Sequence, residues 1–519
     1  MRNICKLSCC AVIGFASVVS ACGERTDALD AAPSVVGRAQ LKDELLYVDE
    51  TDGWAHAVDV MTDEPRAKAD RIDIPAHPTR VVERPSEDEV LVLCAGERDT
   101  NGDWIEKPAL VAIDAKHQKR TYTLSTPLTK MNLTQDGRFA LLHTPGSDGS
   151  SGELLSNPNR VVLVDLSAKA SDSNPVERTL KAPGSELANV YLFDDVRIGG
   201  TSRPIGLFTF GDGISIWDLS HPERAEIASE GLGSGGSVTL SRIVADGDHG
   251  TFYLIQQRIS DLRVLNLDNP IEGKENDFWP SWNQLPLDSN SASDLVLYED
   301  HQEPRVLVAV SNQVRIIDSN DSRVVPINTP AAVQRFYSFE GAAPNDPESK
   351  QRVLGWAQGA TAFVFIELTD LESRGTRNME VVEVGASIRE VLPLSSLELI
   401  VSFANGGIGV FDLQNRRFTP FTSTVELTSA LIESDGKRVW VGAAADRQVG
   451  YFEPRTLEAS SMRLDDPIQE MFLFESGSKR RIVVAHDDPW GKFTVVDGAK
   501  LSRANATVVE GFLLDGVVK

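Results

Sequence analysis

Cysteine is scarce in this chain. Only five occur in 519 residues, and four of them (Cys5, Cys9, Cys10 and Cys22) fall at the extreme N-terminus. That leaves Cys94 alone in the body, inside the apolar run Val90–Cys94, where a thiol packs as a small hydrophobe. An intrachain disulfide framework is therefore excluded. Basic charge is also in short supply, with 51 Lys and Arg against 76 Asp and Glu and a net charge of −25. Such a balance argues against nucleic acid, which needs clustered Lys and Arg, and against adsorption to anionic headgroups. Beyond the first two dozen residues no apolar run is long enough to span a bilayer as a helix. Helical periodicity is almost absent. No Gly-x-Ser-x-Gly elbow, no phosphate-binding Gly-Lys loop and no histidine pair at helical spacing occurs.

What the chain does have is one short strand, returning ten times. The copies begin Ala55–Asp59, Leu110–Asp114, Val161–Asp165, Ile214–Asp218 and Leu262–Asn266. They continue Val314–Asp318, Phe363–Glu367, Ile408–Asp412, Val449–Glu453 and Phe493–Asp497. Successive copies are 41 to 55 residues apart, the spacing of a repeat architecture. Around each copy the pattern is an apolar strand, a turn, a second apolar strand, a polar loop, the repeated strand, and a weaker charged strand. Asp136-Gly137 and Asp435-Gly436 mark hairpins between the first two strands. Four short antiparallel strands per 45 residues make a propeller blade, so the expected fold is an all-β propeller of ten such repeats. One closed ring of 8–10 blades is favoured over two smaller rings, which would divide near 268–293. The closing strand is expected to be Thr507–Leu514, completing the first blade.

Val310–Asp318 and Phe403–Asp412 run as strand, small polar turn, strand, then Asp. They resemble the YVTN/WD40-like repeats of bacterial propeller proteins, a likeness that extends loosely from about residue 43 to the C-terminus. At the N-terminus, Arg2 and Lys6 precede an uncharged stretch from Leu7 to Ser20, followed by Val19-Ser20-Ala21-Cys22-Gly23. This resembles the lipobox of bacterial lipoproteins. The resemblance implies cleavage before Cys22, acylation of Cys22, and, with Gly23 following it, the outer membrane. The domain reading is a signal peptide over 1–21, a flexible tether over 22–42 and the propeller over 43–519.

The repeated acids end strands at turns, where Asp and Asn bond backbone amides two residues on. They read as turn chemistry. Loops after the second strand of each repeat form the better candidate binding face, because function sits in loops held by a rigid scaffold. On it fall Asp99, Asp103, His143, Asp446, His486, Asp487, Asp488 and Trp490. Asp99, Asn101 and Asp103 alternate like the start of a calcium loop, although Trp104 stands where the glycine belongs and Leu110 where the twelfth-position Glu belongs. Calcium is the one cofactor this raises; otherwise none is expected.

These features lead to a lipid-anchored, non-enzymatic scaffold of the bacterial cell envelope. Its expected partner is an envelope protein, a peptide or a glycan, with no nucleic acid. The alternatives are a propeller hydrolase or lactonase-like enzyme, with polar residues converging at the channel mouth, and a subunit of an outer-membrane assembly machine.

Overall fold

The computed structural model describes residues 35–513, except 51–52, 63–69, 146–156, 170, 172–173, 182–185, 212, 230–238, 258, 272–273, 319–322, 344–345 and 422–425. The leader over 1–21, Cys22 and the tether up to residue 34 lie outside the described residues. Among the described residues the chain forms ten four-stranded antiparallel sheets of propeller-blade type, two small hairpins, and a single turn of α-helix at Leu371–Arg374. Each of the ten repeated segments is the third strand of one blade.

The blades fall into two compact units. One comprises residues 1–129 and 462–519 and holds the first, second and tenth blades; the other spans residues 130–461 and holds blades three to nine. The physical logic is the same in both. Second and third strands are almost wholly buried, as in Glu89–Cys94 and Ala109–Asp114. Being apolar on both faces, they need cover from a blade on either side. Each consecutive pair within a unit shares one apolar cluster. Leu46, Val48, Val92 and Val111 join the first and second blades, Leu141, Leu163, Phe208 and Trp217 the third and fourth, and Leu354, Phe363, Val401 and Phe411 the seventh and eighth. Fourth strands such as Asp70–Asp73 and Lys119–Thr123 are largely exposed and charged, which suits an unpaired edge. The Asp-Gly turns form as the sequence suggests: Gly137 (φ 70°) and Gly436 (φ 65°) take the left-handed conformation that glycine adopts without steric cost.

Two expectations are corrected. The strand Ala506–Glu510 pairs with Lys492–Asp497 and is the fourth strand of the tenth blade. It does not complete the first blade. That place is filled by Val35–Leu41, paired with Glu44–Asp49 through the Lys42-Asp43 turn. The first described strand, Val35–Leu41, thus lies inside the stretch assigned to the tether. Gly37, Arg38 and Gln40 hide the strand in sequence, yet Ala39 and Leu41 are buried and Gly37 lies against Val81 of the second blade.

The ends of the chain meet through side chains instead. Leu45, Tyr47 and Val58 of the first blade pack on Phe474, Phe493, Phe512 and Leu513 at the other end of the sequence. Tyr47 stands edge-on to Phe512 at 4.8 Å between ring centroids. Polar clamps frame this core. Lys479 Nζ donates to Met61 O (2.8 Å) and Arg481 Nη1 to Val60 O (2.6 Å).

Candidate functional site

The strand-terminal acids do what turn chemistry requires. Asp59 Oδ1 accepts from the amide of Met61 (2.9 Å), Asp114 Oδ1 from Lys116 (2.8 Å), Asp218 Oδ1 from Ser220 (3.0 Å) and Asp497 Oδ1 from Ala499 (2.8 Å). Other acids tie blades together. Asp294 is buried at the start of the sixth blade and accepts from Arg242 Nε of the fifth (2.9 Å) and from the amide of Phe336 in the seventh (2.9 Å). Asp194 of the fourth blade accepts from the amides of Gln135 (2.9 Å) and Asp136 (2.7 Å) in the third. Its burial, together with the charges of Asp136 and Asp195, raises the pKa above the ordinary carboxylate range despite these bonds.

Both candidate histidines are buried and hydrogen-bonded. His143, the last residue of Phe139–His143, is buried with Nε2 3.1 Å from Asn132 Oδ1 on the neighbouring strand. His486 is 2% exposed; its Nδ1 lies 2.9 Å from Pro467 O and its Nε2 2.8 Å from Thr494 Oγ1. Burial lowers its pKa, which favours the neutral ring. Asp488 Oδ1 accepts from the amide of Trp490 (2.8 Å), while Asp487 is exposed. Asp446 lies half-buried in the turn between the second and third strands of the ninth blade.

Asp99 and Asp103 sit at the tip of the hairpin Glu97–Arg98 and Trp104–Glu106, inserted into the second blade. Asp99 Oδ1 accepts from the amides of Asn101 (2.9 Å) and Asp103 (2.8 Å), and Asn101 Nδ2 donates to Asp99 Oδ2 (3.2 Å). The amide of Asp103 contributes most to a pKa below the ordinary carboxylate range. Arg98 stacks over Trp104 at 3.7 Å. The calcium-like spacing is thus that of a self-closed turn in which the Asp99 carboxylate accepts from the loop's own donors. Among the described residues, no hydrogen bond or ion pair joins Asp99 or Asp103 to His486, Asp487, Asp488 or Trp490.

Three features escape sequence reading. The first is a cleft of about 520 Å³ on the fourth and fifth blades, lined by Ile216, Asp218, Arg224, Ile227, Phe278 and Trp279. Trp279 is 68% exposed, beside the inserted hairpin Pro270–Ile271 and Lys274–Phe278. An apolar cleft with a few convergent polar groups is the usual form of a ligand site.

The second lies at its rim, where Asp218, Ser220 and His221 meet. Ser220 Oγ is 3.1 Å from His221 Nδ1, and Asp218 Oδ2 is 3.2 Å from the same atom. A catalytic relay needs the serine on one ring nitrogen and the carboxylate on the other. Here both compete for Nδ1. Ser220 Oγ also donates directly to Asp218 Oδ1, and Arg203 Nη1 bonds Asp218 Oδ2 at 3.1 Å. The trio is a turn cap on an ion pair.

The third is the group Asp300, His301 and Asp370, one ligand atom from each lying within 4.8 Å of the others. Asp300 and His301 are adjacent, but Asp370 belongs to the next blade, and no local motif announces the pairing.

No family model and no curated protein matches the sequence. Solved structures similar in shape include dihydro-heme d1 dehydrogenase NirN in complex with DHE, 11% identical, covering 83% of this chain and 75% of that one at a TM-score of 0.40. Apo AztD from Citrobacter koseri is 12% identical, covering 70% of this chain and 93% of that one at a TM-score of 0.34. BBS1N in complex with ARL6DN, soaked with lead, is 13% identical and covers 51% and 81% at 0.30. Similarity at this level carries no argument about ligand or activity.

Proposed function

We propose that the protein is a lipid-anchored, non-enzymatic binding scaffold of the bacterial envelope, tethered through Cys22 to the outer membrane and presenting an acidic body to a protein, peptide or glycan partner. One observation carries the reading. The groups that a hydrolase would use are already committed to holding blades and turns: His143 and His486 are buried and bonded, and Ser220 and Asp218 share one nitrogen of His221. What stays available is contact surface. Asp103 and Asp487 are exposed on inter-strand loops, and Trp279 with Arg224 borders an apolar cleft. An exposed indole beside such a cleft is an anchor of the kind that dominates binding energy.

Three measurements test this reading. Cys22→Ser should move the protein from the membrane to the soluble fraction; unchanged fractionation would refute acylation. Affinity capture from solubilised envelope should yield a saturable partner whose retention falls with Trp279→Ala. Turnover of a generic ester or lactone substrate by the purified chain, lost on substituting Ser220, would contradict the scaffold reading.

A further inference from the structure

We propose that Asp300, His301 and Asp370 form a three-ligand site for a divalent ion of the zinc class, shared by the sixth and seventh blades. This site is independent of the scaffold reading. It stands on the identity of the donors and their separations. His301 Nε2 lies 2.9 Å from Asp370 Oδ1 and 3.7 Å from Asp300 Oδ1. Ligand atoms at about 2.0–2.1 Å from one tetrahedral ion are roughly 3.3 Å apart, and the two observed separations bracket that value. One imidazole and two carboxylates match the mixed nitrogen and oxygen sets that zinc accepts, with a fourth position left to water. Calcium is a poor fit, since it takes six to eight oxygens and rarely nitrogen.

Each donor is oriented by something other than the ion. Asp300 closes the strand Ala292–Asp300, and His301 and Gln302 form the turn to Glu303–Val310 with φ of 54° and 69°. Two successive positive φ values define the tight hairpin turn normally built from Asn and Gly, so two larger residues hold a costly conformation there. Asp370, at φ 58°, precedes the helical turn Leu371–Arg374. Its amide donates to Asp300 Oδ1 (3.1 Å), which fixes the seventh-blade ligand to the sixth-blade one. Arg374 Nη2 sits 3.4 Å from Asp370 Oδ2, leaving Oδ1 toward the imidazole. Outer contacts of this kind set ligand direction in built metal sites.

Charge points the same way. Two carboxylates converge on one imidazole nitrogen, a place that either the ring's own proton or a metal ion fills. A divalent ion bound by one neutral imidazole and two carboxylates leaves the centre neutral. The side chain of His301 is 70% exposed, so an ion enters directly from solvent.

The test is equilibrium dialysis of the full chain against Zn²⁺ alone, with bound metal counted per chain, on the native protein and on His301→Ala and Asp370→Asn. His301 and Asp370 are surface groups, and an unchanged melting curve for each variant certifies the fold. The expected result is one Zn²⁺ per native chain, with affinity falling by about tenfold or more in either variant. Co²⁺ in place of Zn²⁺ should give visible absorption of a four-coordinate centre, lost in His301→Ala. Absence of a bound equivalent at saturating Zn²⁺, or equal binding by native chain and both variants, would overturn the assignment.

Discussion

Phe512→Ala is the sharpest probe of how the two ends of the chain are joined. Phe512 is 1% exposed and packs against Tyr47 at 4.8 Å and Phe493 at 5.5 Å between centroids. It lies beyond the last strand, so its loss breaks no ladder bond. Truncating a buried Phe costs about 3–5 kcal/mol in lost transfer energy and residual cavity. Collapse into the space is limited: Gly491 lies close beneath the ring and Leu513 beside it is also buried. Units of roughly 150–250 residues shift by about 2–4 °C per kcal/mol, so Tm should fall by about 6–20 °C for the transition that unfolds the first and tenth blades. Val508 supplies the control. It lies in the fourth strand at 49% exposure, and Val508→Ala should stay within about 0.5 kcal/mol of the native chain. The assay is thermal and urea unfolding followed by fluorescence and circular dichroism. A Phe512→Ala shift below about 2 °C would refute packing as the link between the ends. So would a Val508→Ala effect as large as that of Phe512→Ala, because it would mean that the last strand is buried in a blade core.

The other predictions concern committed polar groups. The folded-state pKa of His486 lies below the unfolded value, so its neutral ring favours folding fully above about pH 6.5, and this contribution is lost as the pH falls below that value. His486→Gln should therefore flatten the acid side of the stability profile below about pH 6.5; parallel profiles for the two proteins would contradict the assignment. Asp294→Asn leaves Arg242 without its carboxylate and weakens the acceptor of the Phe336 amide. Its expected cost in urea unfolding is about 2–4 kcal/mol, reduced from the fully buried case because Arg242 is half exposed; a cost under about 0.5 kcal/mol would show that this clamp contributes little. Calcium addition and chelation should leave the melting curve unchanged, since Asp99 is spent on the amides of its own turn. Stoichiometric calcium lost in Asp99→Asn would contradict that.

The ten third strands were legible because two signals coincide in each: a near-continuous apolar run that needs cover on both faces, and an acid or, at Asn266, an amide at the turn that ends it. The acids at Asp59, Asp114, Asp218 and Asp497 carry that turn chemistry directly. The strand Val35–Leu41 was not legible. It buries only Ala39 and Leu41 fully, and Gly37, Arg38 and Gln40 give it the composition of a linker. Its status as a strand comes from pairing with Glu44–Asp49 and from packing on the second blade, which propensity does not encode. Of the candidate binding face, Asp446 and Asp487 lie on loops between second and third strands, whereas His143 and His486 are buried. His143 and His486 end or follow buried strands, so their rings turn inward to Asn132 and Thr494. Sequence spacing reports that a histidine follows a strand; it does not report which way the ring faces. The Asp300, His301 and Asp370 group was invisible for the converse reason, because 70 residues separate partners that are adjacent only once two blades stack.

Quantitative capture from solubilised envelope, comparing the native chain with a Ser220→Ala variant at an exposed position and reading the intact mass of what is recovered, tests the central claim most directly. The scaffold account predicts that both proteins retain the same partner, in the same amount and chemically unaltered. Recovery of a cleaved or otherwise modified species from the native chain, absent with Ser220→Ala, would contradict it.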